Sequence, residues 1–82
     1  MGYQEQIAHL PFKQKQLLIA IAKEREVKNI TSAAFVKRNK LTSASSVQAA
    51  LKSLLKDDIV INNDGKYRIY DYFFAEWVAQ NF

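Results

Sequence analysis

The sequence predicts an α+β fold in which a three-helix core is followed by a two-stranded hairpin and one more helix. Three observations carry that prediction. Residues 42–56, TSASSVQAALKSLLK, place apolar side chains at Val47, Ala50, Leu51, Leu54 and Leu55, the i, i+3, i+4, i+7, i+8 spacing of one buried helical stripe. Beyond Lys56 the pattern turns β-like: Ile59-Val60-Ile61 and Tyr67-Arg68-Ile69-Tyr70 flank Asn62-Asn63-Asp64-Gly65, and Asp-Gly between two such runs is a strong hairpin signal. After Asp71, a good helix cap, Phe74, Trp77 and Val78 return to i, i+3, i+4 spacing.

Eighty-two residues with 49% hydrophobic and 24% charged side chains suffice for one small core and not for two. With no cysteine there is neither a disulfide framework nor a thiolate metal site, and one histidine cannot supply a metal cluster. No cofactor and no metal are expected. No apolar run approaches the roughly 20 residues that span a bilayer, and no signal-peptide pattern precedes the domain, so no membrane partner is expected and a cytoplasmic setting is the default.

Taken in order, Met1-Gly2 reads as an initiator remnant, and residues 3–10 as a short helix with Ile7 and Leu10 facing inward. Residues 1–9 therefore stand as a lead-in to a domain over residues 10–82. Pro11 suits a first helical turn, where its missing N–H would be unpaired anyway, and Leu17, Leu18, Ile21 and Ala22 then share one side. Charged residues 23–26 end this helix, and residues 27–30, partly β-branched, are expected to form a small strand. Thr31-Ser32 caps a second helix with Ala33, Phe35 and Val36 inward and Lys37 and Arg38 near its end, where cations complement the helix dipole. Asn39-Lys40-Leu41 makes the turn, Asn39 being the residue that tolerates a left-handed conformation, and Leu41 tucks between the helices. Thr42 and Ser43 cap the third helix. A short helix, a tight turn and a longer capped helix form a helix-turn-helix, and with the hairpin as its wing the whole is a small winged helix-turn-helix. In the last helix Phe73, Phe74 and Trp77 are expected in the core. Of the tail aromatics only Tyr72 and Phe82 are expected outside, any surplus beyond them forming an exposed patch.

Charge distribution points to a polyanion. From Val27 to Lys56 there is no acidic residue, while Lys28, Lys37, Arg38, Lys40, Lys52 and Lys56 all fall there. Residues 57–82 instead hold five acids against Lys66 and Arg68. A basic face binds phosphates by releasing counterions, although an ordinary solvated lysine surface reads the same way on charge alone. Double-stranded DNA is the first candidate partner. Ser43, Ser45, Ser46 and Gln48 would then lie nearest the major groove, with Lys37, Arg38, Lys40 and Lys52 and the wing residues Lys66 and Arg68 on phosphates. Gln48 is the one residue of the third helix able to read a base edge bidentately, so sequence preference is expected to be weak. The alternative is a regulatory domain docking on a protein, because the small Ser/Ala face of the third helix allows close approach at little side-chain entropy.

Catalysis is not expected. His9 stands alone beside Leu10-Pro11, Ser45 and Ser46 have no base partner, and Asp57-Asp58 at a helix-to-strand junction reads as a solvated turn.

Three runs carry a family resemblance: Leu41-Thr42-Ser43-Ala44-Ser45-Ser46-Val47-Gln48, then Asp64-Gly65-Lys66-Tyr67-Arg68, then Asp71-Tyr72-Phe73-Phe74-Ala75-Glu76-Trp77. Together they resemble the C-terminal winged-helix domain of a family of prokaryotic, archaeal-type AAA ATPases, over nearly the whole chain from Leu10. The resemblance implies a larger parent protein with an N-terminal P-loop ATPase module, which becomes a further candidate partner. This chain departs from such a module, having no G-x-x-x-x-G-K-[ST] run and only Gly2 and Gly65, so the resemblance places any ATP chemistry elsewhere in the parent.

Overall fold

Leu17, Leu18 and Ile21, Val47, Leu51 and Leu54, and Phe74 and Val78 come from three separate helices and meet in one core, each 6% exposed or less. In the computed structural model, which describes residues 2–82, the order is α1 (Tyr3–Ala8), α2 (Phe12–Glu24), α3 (Ala33–Arg38), α4 (Ala44–Lys56), β1 (Val60–Asn63), β2 (Lys66–Ile69) and α5 (Tyr72–Asn81). Met1, half of the expected initiator remnant, lies outside the described residues. The α2 helix is central and packs against α4, α5 and β2. The α1 helix closes one side: Ile7 is buried, and the Tyr3 ring lies 5.1 Å from Phe74 and 6.0 Å from Trp77. This is the α+β winged helix-turn-helix the sequence predicts, with one extra helix at each end.

Local chemistry explains where the helices begin. The Ser32 hydroxyl accepts from the Phe35 amide at 3.1 Å, Ser43 from Ser46 at 3.1 Å, and Asp71 from both Phe73 and Phe74. Each cap satisfies amides that have no carbonyl partner in the first turn.

The ends of α3 and α4 share one design. Leu41 donates its N–H to the Val36 carbonyl at 2.9 Å and Lys40 to Lys37 at 3.2 Å; Ile59 donates to Leu54 at 3.0 Å and Asp58 to Leu55 at 3.1 Å. These are Schellman closures, in which an apolar residue follows the left-handed position and packs back on the helix. Here the left-handed residues are Lys40 (φ 55) and Asp58 (φ 58), neither a glycine. Asn39, expected to take that role, stays at φ −99 because its side chain is held, donating to Glu24 and to the Phe35 carbonyl.

In the hairpin Val60 pairs with Ile69, Ile61 with Arg68, Asn62 with Tyr67 and Asn63 with Lys66. Asn62 and Asn63 thus join the ladder, and the turn shrinks to Asp64 (φ 57) and Gly65 (φ 83). Two positive φ values make a type I′ turn, whose twist matches that of the flanking strands. The Asn62 side-chain oxygen accepts from the Gly65 amide at 2.8 Å.

Several expectations are corrected. Residues 27–30 form no strand: only Val27 bridges, exchanging two 2.9 Å bonds with Tyr67. Positive φ at Arg25 (70) and Asn29 (52) turns the chain on either side, so extended backbone lasts one residue. Ala33 is exposed, leaving Phe35 as the buried anchor of α3. In the tail, Phe74 and Val78 take the inward positions of α5, so Phe73, about 100° around the helix from Phe74, is 79% exposed rather than core. Tyr70 follows buried Ile69 in extended chain and points outward, 64% exposed.

Candidate nucleic-acid interface

The buried stripe of α4 leaves an opposite stripe in solvent. Ser45, Gln48, Ala49, Lys52 and Lys56, spaced i, i+3, i+4, i+7 and i+11, are all exposed. Ala44 is exposed beside them, so the N-terminal half of this face is smooth and small. Ser43 and Ser46 are half-buried and engaged in the cap, Ser43 also lying 3.3 Å from the Ser45 hydroxyl. Of the four candidate readout residues, Ser45 and Gln48 are therefore the exposed ones. Lys56 extends the same stripe; its spacing of four from Lys52 is the signal that adds it to the candidates.

The turn supplies two more cations. Lys37 and Lys40 are exposed at the end of α3 and in the left-handed turn position, and among the described residues neither makes an ion pair, nor does Lys52. Arg38 differs. Its guanidinium donates to both carboxylate oxygens of Glu24 at 2.8 Å, and the arginine bond, opposed by burial and helped by Asn39, holds the Glu24 carboxyl below its ordinary range. The same bond raises the Arg38 pKa.

The wing residues also separate. Lys66 and Arg68 alternate onto one face of the hairpin and both are half-buried. Lys66 stands beside the turn, two residues after exposed Asp64. Arg68 points toward the base of the hairpin, donating to the carbonyls of Ile69 (3.0 Å) and Tyr70 (3.3 Å) with its guanidinium 4.7 Å from the centre of the Tyr72 ring. Of the ten candidate contact residues, Lys37, Lys40, Ser43, Ser45, Ser46, Gln48 and Lys52 thus fall on the end of α3, the turn and α4, Lys66 lies on the wing, and Arg38 and Arg68 have partners within the chain.

His9 is exposed and lines a 350 Å³ depression with Gly2, Tyr3, Glu5 and Gln6. Asp57 and Asp58 close α4 as described above. Among the described residues no helix is long and apolar enough to cross a membrane, and no group of three His, Cys, Asp or Glu residues is placed to hold a metal ion.

A family model described as a probable winged helix domain matches residues 1–80. Neither a curated protein nor a solved structure matches the chain.

Proposed function

Because the chain belongs to this family of probable winged helix domains, we propose that it is a non-catalytic module that binds double-stranded DNA with weak sequence preference. The observation that carries the reading is the outward stripe of α4, small and polar at its N-terminal half and basic toward Lys52 and Lys56, with Lys37 and Lys40 on the turn before it. Small side chains let the helix approach the groove floor, and the lysines sit where phosphates border it. Lys66 contributes from the wing. We further propose that the parent protein is a cytoplasmic P-loop ATPase of the AAA type, supported by the three residue runs from Leu41, Asp64 and Asp71. A second reading, docking on that ATPase module or on a protein partner, is favoured by the exposed Tyr70, Tyr72 and Phe73.

The test is a titration of the nitrogen-15-labelled chain with a mixed-sequence duplex at two salt concentrations. Amide shifts confined to residues 37–56 and 62–68, weakening with a log-log salt slope of about −4 for some four phosphate contacts, are expected. Absence of shifts at low salt sinks DNA binding by this chain.

A further inference from the structure

The end of β2 and the start of α5 put three large rings in solvent: Tyr70, Tyr72 and Phe73, at 64%, 70% and 79% exposure. Solvated rings are common singly, but three fall here within four residues. Acids border them. The Tyr70 N–H donates to the Ile59 carbonyl at 2.9 Å, which sets Tyr70 beside the Asp57-Asp58 corner. Asp71 stands between Tyr70 and Tyr72, one carboxylate oxygen occupied by the amides of Phe73 and Phe74. All three aspartates are exposed. Glu76, one turn beyond Tyr72, is paired with Arg25. Arg68, the nearby cation, is committed to the Tyr72 ring and to two carbonyls.

We propose that this aromatic and acidic surface docks an arginine-bearing protein segment. It deepens the second reading above, and it calls for a cationic ligand where the DNA reading calls for an anionic one. The quadrupole of a tyrosine or phenylalanine ring attracts cations to its face, and arginine stacks flat on rings while forking onto carboxylates. Within the chain, Arg68 over Tyr72 is already an interaction of this kind. Bases of single-stranded nucleic acid also stack on exposed rings, but three aspartates that make no ion pair among the described residues repel the accompanying phosphates. A second copy of the chain is a poor occupant, because its three arginines are already engaged: Arg25 by Glu76, Arg38 by Glu24, and Arg68 by the Tyr72 ring and two carbonyls.

The test titrates the labelled chain with an acetylated, amidated hexa-arginine peptide, with hexalysine, and with oligothymidylate, at physiological salt. Hexa-arginine is expected to shift amides of residues 57–59 and 70–76 and to bind more tightly than hexalysine. Tyr70→Ser and Phe73→Ser are each expected to weaken it about two- to fivefold, without moving the thermal midpoint down. The proposal is overturned if hexa-arginine leaves those amides unmoved, if neither serine variant weakens it, if oligothymidylate moves them instead, or if they move with protein concentration alone. Loss of duplex binding in the separate DNA titration leaves this outcome unaffected, so the two readings fail independently.

Discussion

Arg38 and Glu24 lie fourteen residues apart in sequence, yet the guanidinium forks onto the carboxylate with two 2.8 Å bonds, and Asn39 adds a third at 2.8 Å. The contact ties the end of α3 to the end of α2. It also engages the one arginine of the helix-turn-helix, still exposed, so that a residue expected to face phosphates is held by a carboxylate of its own chain.

Glu24→Gln is expected to lower the thermal midpoint by about 2–5 °C, the range for one partly screened ion pair in a small domain. Under the DNA reading it also frees Arg38, raising affinity and steepening the salt slope by about one. The pH dependence has a definite sign. The carboxyl lies below its ordinary 4.5 in the folded chain, chiefly through the Arg38 hydrogen bond, so its contribution is complete above about that pH and is lost as pH falls through the lowered folded value. Denaturation of wild type and variant should therefore differ by a constant amount from pH 6 to 8 and converge in acid.

Lys40→Gly separates stability from binding. Lys40 holds a left-handed backbone at φ 55, where a side chain is strained and glycine is not. Glycine is expected to stabilise the fold by about 0.5–1 kcal/mol after its greater unfolded-state entropy is set against the relief. The same change removes a cation that the DNA reading assigns to a phosphate. Urea denaturation should show the gain while duplex affinity falls; a fall in both would place the left-handed geometry under the control of the side chain instead.

Gly65→Ala probes the turn alone. A Cβ at this position meets nothing within 4 Å, so the expected loss of about 1 kcal/mol is purely conformational, arising from φ 83. Chemical denaturation measures it, and backbone amide shifts should stay native outside the hairpin.

Leu54→Ala tests the core. Leu54 has no exposed surface, and truncation there is expected to cost about 2–5 kcal/mol. A domain of this size has roughly 4–12 kcal/mol in total, so the urea midpoint should drop steeply, or the chain should be partly unfolded in water.

Much of this architecture was legible in the residues themselves. Val47, Ala50, Leu51 and Leu54 lie buried where the spacing predicts, and Ser32, Ser43 and Asp71 cap the helices they precede. Asp64-Gly65 marks the hairpin because few residues tolerate two consecutive positive φ values. Periodicity and capping are properties of neighbouring residues, and they survive in any context that supplies a core. The left-handed Lys40 and Asp58 carry no such mark, since their geometry follows from where Leu41 and Ile59 must pack. Nor does the Arg38 and Glu24 pair, which exists only once α2 and α3 end side by side. For the tail the sequence alone supplied aromatic residues at helical spacing, and tertiary structure decided which were buried. Phe74 and Val78 reach the side that packs on α2, while Tyr70, Tyr72 and Phe73 stay in water because their backbone directions carry them away from the one core this chain encloses.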